Sequence, residues 1–347
     1  MKFSKVFMDA VGYELGPVAV TSAELEARIA PMYEKLRIPM GQLEALTGIR
    51  ERRWWLPDTS LSEKAIAAAK QVMEPRGIRP EDIGALIYTG VCREEFEPAT
   101  ACAVAAGLGI RGDAAVYDIT NACLGVLNGV LDIANRIELG QIRAGLVVSC
   151  ESSREINEIM IRRMLDNPTM EMFSLSLATL TGGSGAVAVL LTDGTFASSK
   201  SRKLVGGVTI TAPEHHKLCN WGLKNEGEGN FSEYMRTDAV NIMKYGVALG
   251  KVTWDAFLDK IQCRGEEINK VICHQVGEAN QKLILKTLGI PLENDFSTFP
   301  YLGNMGTCSL PITAAIAKER EFMHPGDTVG FLGIGSGLNC MMMAIQW

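Results

Sequence analysis

The stretch Asp118 to Ile137, DITNACLGVLNGVLDIANRI, delivers a cysteine where a strand-like run gives way to a helix-like one. Cys123 thus reads as standing at a helix N-terminus, where unpaired N–H groups and the helix dipole favour a thiolate and lower a thiol's pKa. The chain has nine cysteines, and others, such as Cys150, Cys273 and Cys340, lie inside apolar runs as structural thiols do. Of four histidines, His274 closes an apolar run, INKVICHQV, whereas His215 and His216 sit in a polar stretch and His324 in the turn-like FMHPGD. Alone, His274 reads as a hydrogen-bonded core histidine; a cysteine and a histidine, each at a strand end, suit a nucleophile and its base. Asn304 stands between Gly303 and Gly306 in YLGNMGTCSLP, as an oxyanion donor or an ordinary turn asparagine.

Two further stretches carry candidates. GIGSGLN, residues 333–339, follows a strand but leaves no room for a following βαβ unit, so the dinucleotide fingerprint fails. A backbone N–H approaching a reacting carbonyl fits better. GVCREEFEPATA places Glu94, Glu95 and Glu97 after a strand. Most such glutamates are solvated surface charges. Glu97 lies nearest the point where the chain re-enters the interior, and a buried carboxylate there would have a raised pKa and could act as a base.

The elements around these residues alternate. Continuous apolar runs at 83–91, 114–120, 144–150, 185–192, 268–276 and 327–335 read as strands covered on both faces. Helix-like segments lie between them. SLSEKAIAAAKQVME opens on Ser60 with Glu63 three residues on, and GVLNGVLDIANRIELG stops at Gly140. The alternation predicts an α/β fold. The intervals from Thr89 to His274, from Cys123 to Cys308 and from Val147 to Leu332 are identical, and each joins similar strand–turn blocks. The chain therefore reads as two similar halves, 1–195 with the cysteine and 196–347 with the histidine and asparagine, joined through DGTFASSKS at 193–201. Stacked halves would bring Cys123, His274 and Asn304 together at strand ends, where open α/β sheets bind ligands.

The chain is 347 residues long, with 47% hydrophobic and 21% charged residues, enough to bury a substantial core. A net charge of −6 argues against a nucleic-acid partner. An odd cysteine count without CxxC pairs suits reduced thiols and a cytoplasmic location. Asp9 interrupts the N-terminal apolar run a signal peptide needs, and no run approaches the roughly 20 residues of a membrane span. No His, Cys or Asp cluster has metal-ligand spacing.

The set formed by Cys123 after a strand, HQV at 274–276, GNMG at 303–306, GIGSGLN at 333–339 and TGIRERR at 47–53 resembles the thiolase superfamily, in its ketoacyl synthase III branch. The resemblance runs from Thr47 to Trp347. It implies a five-layered αβαβα thiolase fold of two similar halves and a homodimer. FEPATA, NACLGVLNG and LGIGSGLNC are most similar to OleA-type enzymes, which join two fatty acyl-CoA molecules head to head on the way to olefins. That implies an acyl-Cys123 intermediate, a non-decarboxylative Claisen condensation, and an oxyanion hole from the N–H groups of Cys123 and Ser336. It implies that Glu97 removes the α-proton in the partner subunit's site while His274 and Asn304 hold the enolate. Coenzyme A thioesters would be the only cofactor-like groups, and downstream olefin-pathway enzymes possible partners. The alternatives are a decarboxylating synthase III that uses a malonyl-carrier protein, and an inactive acyl-binding protein. Where synthase III enzymes carry a tryptophan and an arginine for the CoA adenine, this chain has Gln42 and Leu46. Two long acyl chains need apolar channels, and the Met- and Leu-rich segment 164–180 is a candidate wall or ordinary core packing.

Overall fold

The computed structural model describes residues 1–196 and 202–347. Among the described residues the strands are β1 (Phe7–Leu15), β2 (Val18–Thr21), β3 (Glu51–Trp54), β4 (Ala85–Thr89), β5 (Ala115–Ile119), β6 (Ala144–Glu151), β7 (Gly185–Thr192), β8 (Arg202–Thr211), β9 (Cys219–Gly227), β10 (Asn230–Thr237), β11 (Lys270–Cys273), β12 (Thr328–Gly335) and β13 (Asn339–Gln346). The helices are α1 (Ser22–Arg28), α2 (Ala30–Leu36), α3 (Gln42–Thr47), α4 (Leu61–Met73), α5 (Thr100–Leu108), α6 (Gly125–Glu138), α7 (Arg154–Asp166), α8 (Met170–Ser176), α9 (Ala239–Ile261), α10 (Glu278–Leu288), α11 (Phe299–Leu302) and α12 (Ser309–Glu319).

Nine strands are hydrogen-bonded in the order β11-β12-β13-β8-β1-β7-β6-β4-β5. The short β1–β8 contact, Phe7 to Lys203 and Met8 to Arg202, joins two half-sheets. Their interiors explain the layers. Along each strand, successive side chains point to opposite faces. Ile87, Val147 and Val189 of the first half share one core with Phe331, Met341 and Met343 of the second, and this core is filled by α6 and α12. Leu86, Val148 and Leu190 point the other way, onto α4 and α5. Leu332, Cys340 and Met342 likewise face α9 and α10. Helices therefore lie outside each half-sheet and between them, five layers in all.

The two halves match in order as well as layering. The parallel pairs β4–β6 and β11–β12 correspond, Ala85 answering to Lys270 at the interval seen in the sequence. Strand β12 is one residue out of that interval: Gly145 answers to Val329, so inward-facing Val147 matches Phe331 rather than Leu332, which points outward. Helix α6 corresponds to α12, and α5 to α10. The match fails at β5, whose counterpart is reduced to a single bridge between Val271 and Asp295. Continuous apolar runs became β6 and β7, buried at every position. By contrast β5, the sheet edge, is half-buried along its whole length, so the expectation of cover on both faces fails there in a single chain. The expected joint between halves overlaps residues 197–201, which lie outside the described residues.

Local chemistry sets the helix starts. Ser60 caps α4, accepting the Glu63 N–H at 3.2 Å. Only that half of the expected box forms, and the Ser60 hydroxyl itself donates to Glu94 at 2.6 Å. Among the described residues no helix is long and apolar enough to cross a membrane.

Candidate active site

Cys123 lies in the turn between β5 and α6, two residues before the first helical residue, Gly125. Ala122 beside it has φ +45°, a left-handed conformation that alanine adopts only when its surroundings impose it. The Leu124 N–H donates to the Asn121 carbonyl and the Val126 N–H to the Thr307 hydroxyl, at 2.9 and 2.7 Å. The free end of α6 is thus partly capped from the start of α12. The β12–β13 turn packs on the same backbone: a Cβ on Gly335 would lie 3.4 Å from the Cys123 nitrogen. Asn339 of that turn donates to Asn121 at 3.0 Å, locking the two loops together. Neither the Cys123 nor the Ser336 N–H is engaged by a backbone carbonyl among the described residues.

Cys123, His274, Asn304 and Ser336 all line one cavity of about 530 Å³. His274 reaches it because β11 ends one residue earlier and its N–H continues the ladder to the Leu332 carbonyl at 2.9 Å. Asn304 is positioned by its neighbours. Its backbone pairs with Thr181 and Gly183, and its Oδ1 accepts the Gly306 N–H at 3.0 Å. With the amide oxygen so engaged, the NH₂ group is left to donate.

The electrostatics depart from the helix-dipole expectation. Burial pushes the Cys123 thiol up to about 12, with Cys219 and Glu151 adding to the rise. The dipole argument fails because α6 begins two residues later and desolvation outweighs it. The same burial lowers His274 to about 4, and its Nδ1 has no hydrogen-bond partner among the described residues. The resting pair is therefore neutral thiol and neutral imidazole.

Glu97 also departs from expectation. It is exposed in a single chain, does not line the cavity, and sits beside Phe96, whose surface is 91% exposed. Leu46 stands at the cavity mouth. The segment 164–180 divides: Leu177, Ala178 and Thr179 face this cavity, while Met172, Leu175 and Ser176 face a neighbouring one of about 750 Å³. Asn220 and Met235 of the β9–β10 hairpin line both.

One cavity residue escaped the sequence reading. Glu151, the last residue of β6, is buried and lines the chamber with Cys123. Its one sequence signal was its place directly after the apolar run 144–150, where β6 ends.

Comparison with known proteins decides the family. Residues 45–199 match the thiolase N-terminal domain, and residues 258–347 match the C-terminal domain of 3-oxoacyl-[acyl-carrier-protein] synthase III. The chain is 58% identical to an acyl-CoA:acyl-CoA alkyltransferase of Shewanella oneidensis, with both chains covered in full. The chain belongs to the thiolase superfamily, in its OleA branch. It is 33% identical over its full length to the alkyltransferase of Xanthomonas campestris. Crystal structures of the Xanthomonas OleA superpose with a TM-score of 0.93, covering 100% of this chain and 98% of that one. One such structure holds lauric acid and lauroyl-CoA. Other OleA structures carry substitutions at a cysteine and at a glutamate whose separation in sequence equals that of Cys123 and Glu97. The five-layered α/β architecture is accordingly the thiolase fold.

Proposed function

We infer that this chain is an acyltransferase that condenses two fatty acyl-CoA molecules head to head, without decarboxylation, to a β-ketoacyl product. The observation that carries the reading is a single chamber joining Cys123, His274 and Asn304 in a chain 58% identical over its full length to an acyl-CoA:acyl-CoA alkyltransferase.

In the first half-reaction the Cys123 sulfur attacks the thioester carbonyl, and the N–H groups of Cys123 and Ser336 receive the oxyanion. Each such donor contributes about 3–4 kcal/mol in other acyl-transfer enzymes. The thiol proton passes through His274 to the departing CoA thiolate. Because burial disfavours both charged partners, the thiolate forms as substrate arrives rather than beforehand. In the second half-reaction Glu97 removes an α-proton from a second acyl-CoA. Neutral His274 and the Asn304 amide donate to the enolate oxygen. The carbanion attacks the acyl-cysteine, the C–S bond breaks, and the Cys123 thiolate takes up the proton that Glu97 removed, which restores both groups. The covalent stage divides one hard condensation into two easier steps. No electrons change hands, so CoA thioesters suffice without a redox cofactor.

Glu97 acts in the partner subunit's site of a homodimer. Its exposure in one chain, the exposed Phe96 beside it, and the half-buried edge strand β5 support that arrangement. Nine free thiols suit a reducing cytoplasm.

Mass spectrometry after mixing with myristoyl-CoA tests the reading. An acyl adduct on Cys123 and a condensed product from acyl-CoA alone are expected. Condensation only after addition of a malonyl-carrier protein would reject it in favour of a decarboxylating synthase. No adduct at all would leave an acyl-binding protein.

A further inference from the structure

Glu151 is a buried carboxylate whose hydrogen-bond partners are backbone N–H groups and the Cys92 thiol rather than cations. Its Oε1 accepts the Val91 N–H at 3.0 Å and its Oε2 the Cys92 N–H at 3.1 Å. The Thr307 N–H also points at it. A Cβ on Gly306, which has φ +55°, would come within 3.2 Å of Oε1, so the loop carrying Asn304 rests directly on this carboxylate. Glu151 therefore grips two loops at once. One is the Asn304 loop of its own chamber, and the other begins at Val91 and carries Glu97.

The Tyr88 hydroxyl donates to the Cys92 carbonyl at 2.9 Å, and two other carboxylates fasten the Glu97 loop. Glu94 accepts the Ser62 N–H at 2.9 Å, and Asp118 accepts the N–H groups of Thr100 and Ala101 at 3.0 and 2.9 Å. Of these three carboxylates, Glu151 is the one that lines the reaction chamber. Burying a carboxylate is costly unless it is fully hydrogen-bonded, and the cost falls here at the root of the loop with the exposed tip.

We propose that Glu151 is a positioning residue that sets the aim of Glu97 into the partner's chamber, so that each subunit's chamber holds the root of the base it lends to the other. This rests on the cross-subunit reading of Glu97. It makes Glu151 matter for the condensation half-reaction of the neighbouring site more than for acylation of its own.

Hybrid dimers separate the roles. In both hybrids one subunit carries Cys123→Ala, so a single chamber works, and a hybrid of that subunit with an unaltered one is the reference. In the first, Glu151→Gln is placed in the subunit with the working cysteine. In the second, it is placed together with Cys123→Ala. A glutamine keeps the size but turns an NH₂ toward one of the N–H donors, which loosens the loop. The second hybrid should lose about a hundredfold in condensation, the cost of a misplaced catalytic group. The first, which loosens only the Asn304 loop of the working chamber, should lose at least about tenfold less than the second, and Cys123 acylation should persist in both. Equal losses, or a larger loss in the first hybrid, would overturn the proposal, because a merely structural role ignores which subunit is altered. Glu97→Ala in the same two placements is the control. If it shows no dependence on placement, the cross-subunit reading fails and this proposal with it; if it does and Glu151→Gln does not, this proposal alone fails. Should the glutamine variant not fold, Glu151→Asp, which keeps the charge but shortens the reach, is read in the same placements with the same criteria.

Discussion

Thr89 and His274 close equivalent strands, yet Thr89 is fully buried with its hydroxyl donating to the Val148 carbonyl at 3.3 Å, while His274 opens into the chamber. Cys123 and Cys308 precede equivalent central helices. Cys123 faces the chamber, whereas Cys308 is fully buried, its thiol driven far up by burial and by Glu151. Glu151 and Gly335 end equivalent strands and both line the chamber, but one carries a carboxyl side chain and the other bare backbone that leads into the turn at Ser336. Two copies of one scaffold thus divide the chemistry between them. In the proposed mechanism the first half carries the covalent intermediate, and the second supplies donors for the enolate. Thr307 caps α6 across the centre, so the second half also fixes where the nucleophile of the first can sit.

The sharpest way to break that comparison is to exchange the cysteines' fates. Cys123→Ala should abolish the acyl-enzyme and lower turnover by about 10⁴-fold or more. Cys308→Ala should leave turnover within about threefold; adduct mass and product assays read both. If Cys308→Ala stops acylation, the halves do not divide the chemistry in this way. Next comes the donor side. His274→Ala should lower condensation by about 10²–10³-fold, while Thr89→Ala lowers the melting temperature and spares the acylation rate. At the β12–β13 turn, Ser336→Pro removes the backbone donor and should cost a similar factor in acylation, whereas Ser336→Ala keeps the N–H and should stay within about threefold. A large effect of the alanine would move the role from backbone to side chain.

Two smaller effects sharpen the electrostatic contrast. With the Cys123 thiol near 12, its alkylation by iodoacetamide should rise about tenfold per pH unit from 7 to 10, and a plateau near pH 8 would show a preformed thiolate instead. Cys308 should stay unlabelled throughout. His274 has a folded pKa of about 4 against 6.5 when unfolded, so the unfolded chain binds its proton first. The stability held by the neutral imidazole is complete above about pH 6.5 and declines as pH falls through 4. His274→Asn should flatten that part of a melting-temperature profile.

Much of the scaffold was legible because buried strands are continuous apolar runs: residues 185–192 form β7 in full and 144–151 form β6. Strands β8 and β13 escaped notice although β13 reads NCMMMAIQ, and the hairpin β9–β10 escaped because it is polar and half-exposed. Glu151 looked like any acidic residue after a strand. Only its three N–H partners mark it out, and they come from loops far from it in sequence, around Val91 on one side and Thr307 on the other.

By itself the chain's sequence determined the α/β order, the internal repeat, and the candidate set Cys123, His274 and Asn304, because periodicity and turn residues are local properties. Tertiary structure decided which of two equivalent cysteines faces the chamber, the upward shift of its thiol, the exposure of Glu97 and the grip of Glu151. Each of these depends on desolvation and on contacts between distant segments, which no local pattern encodes.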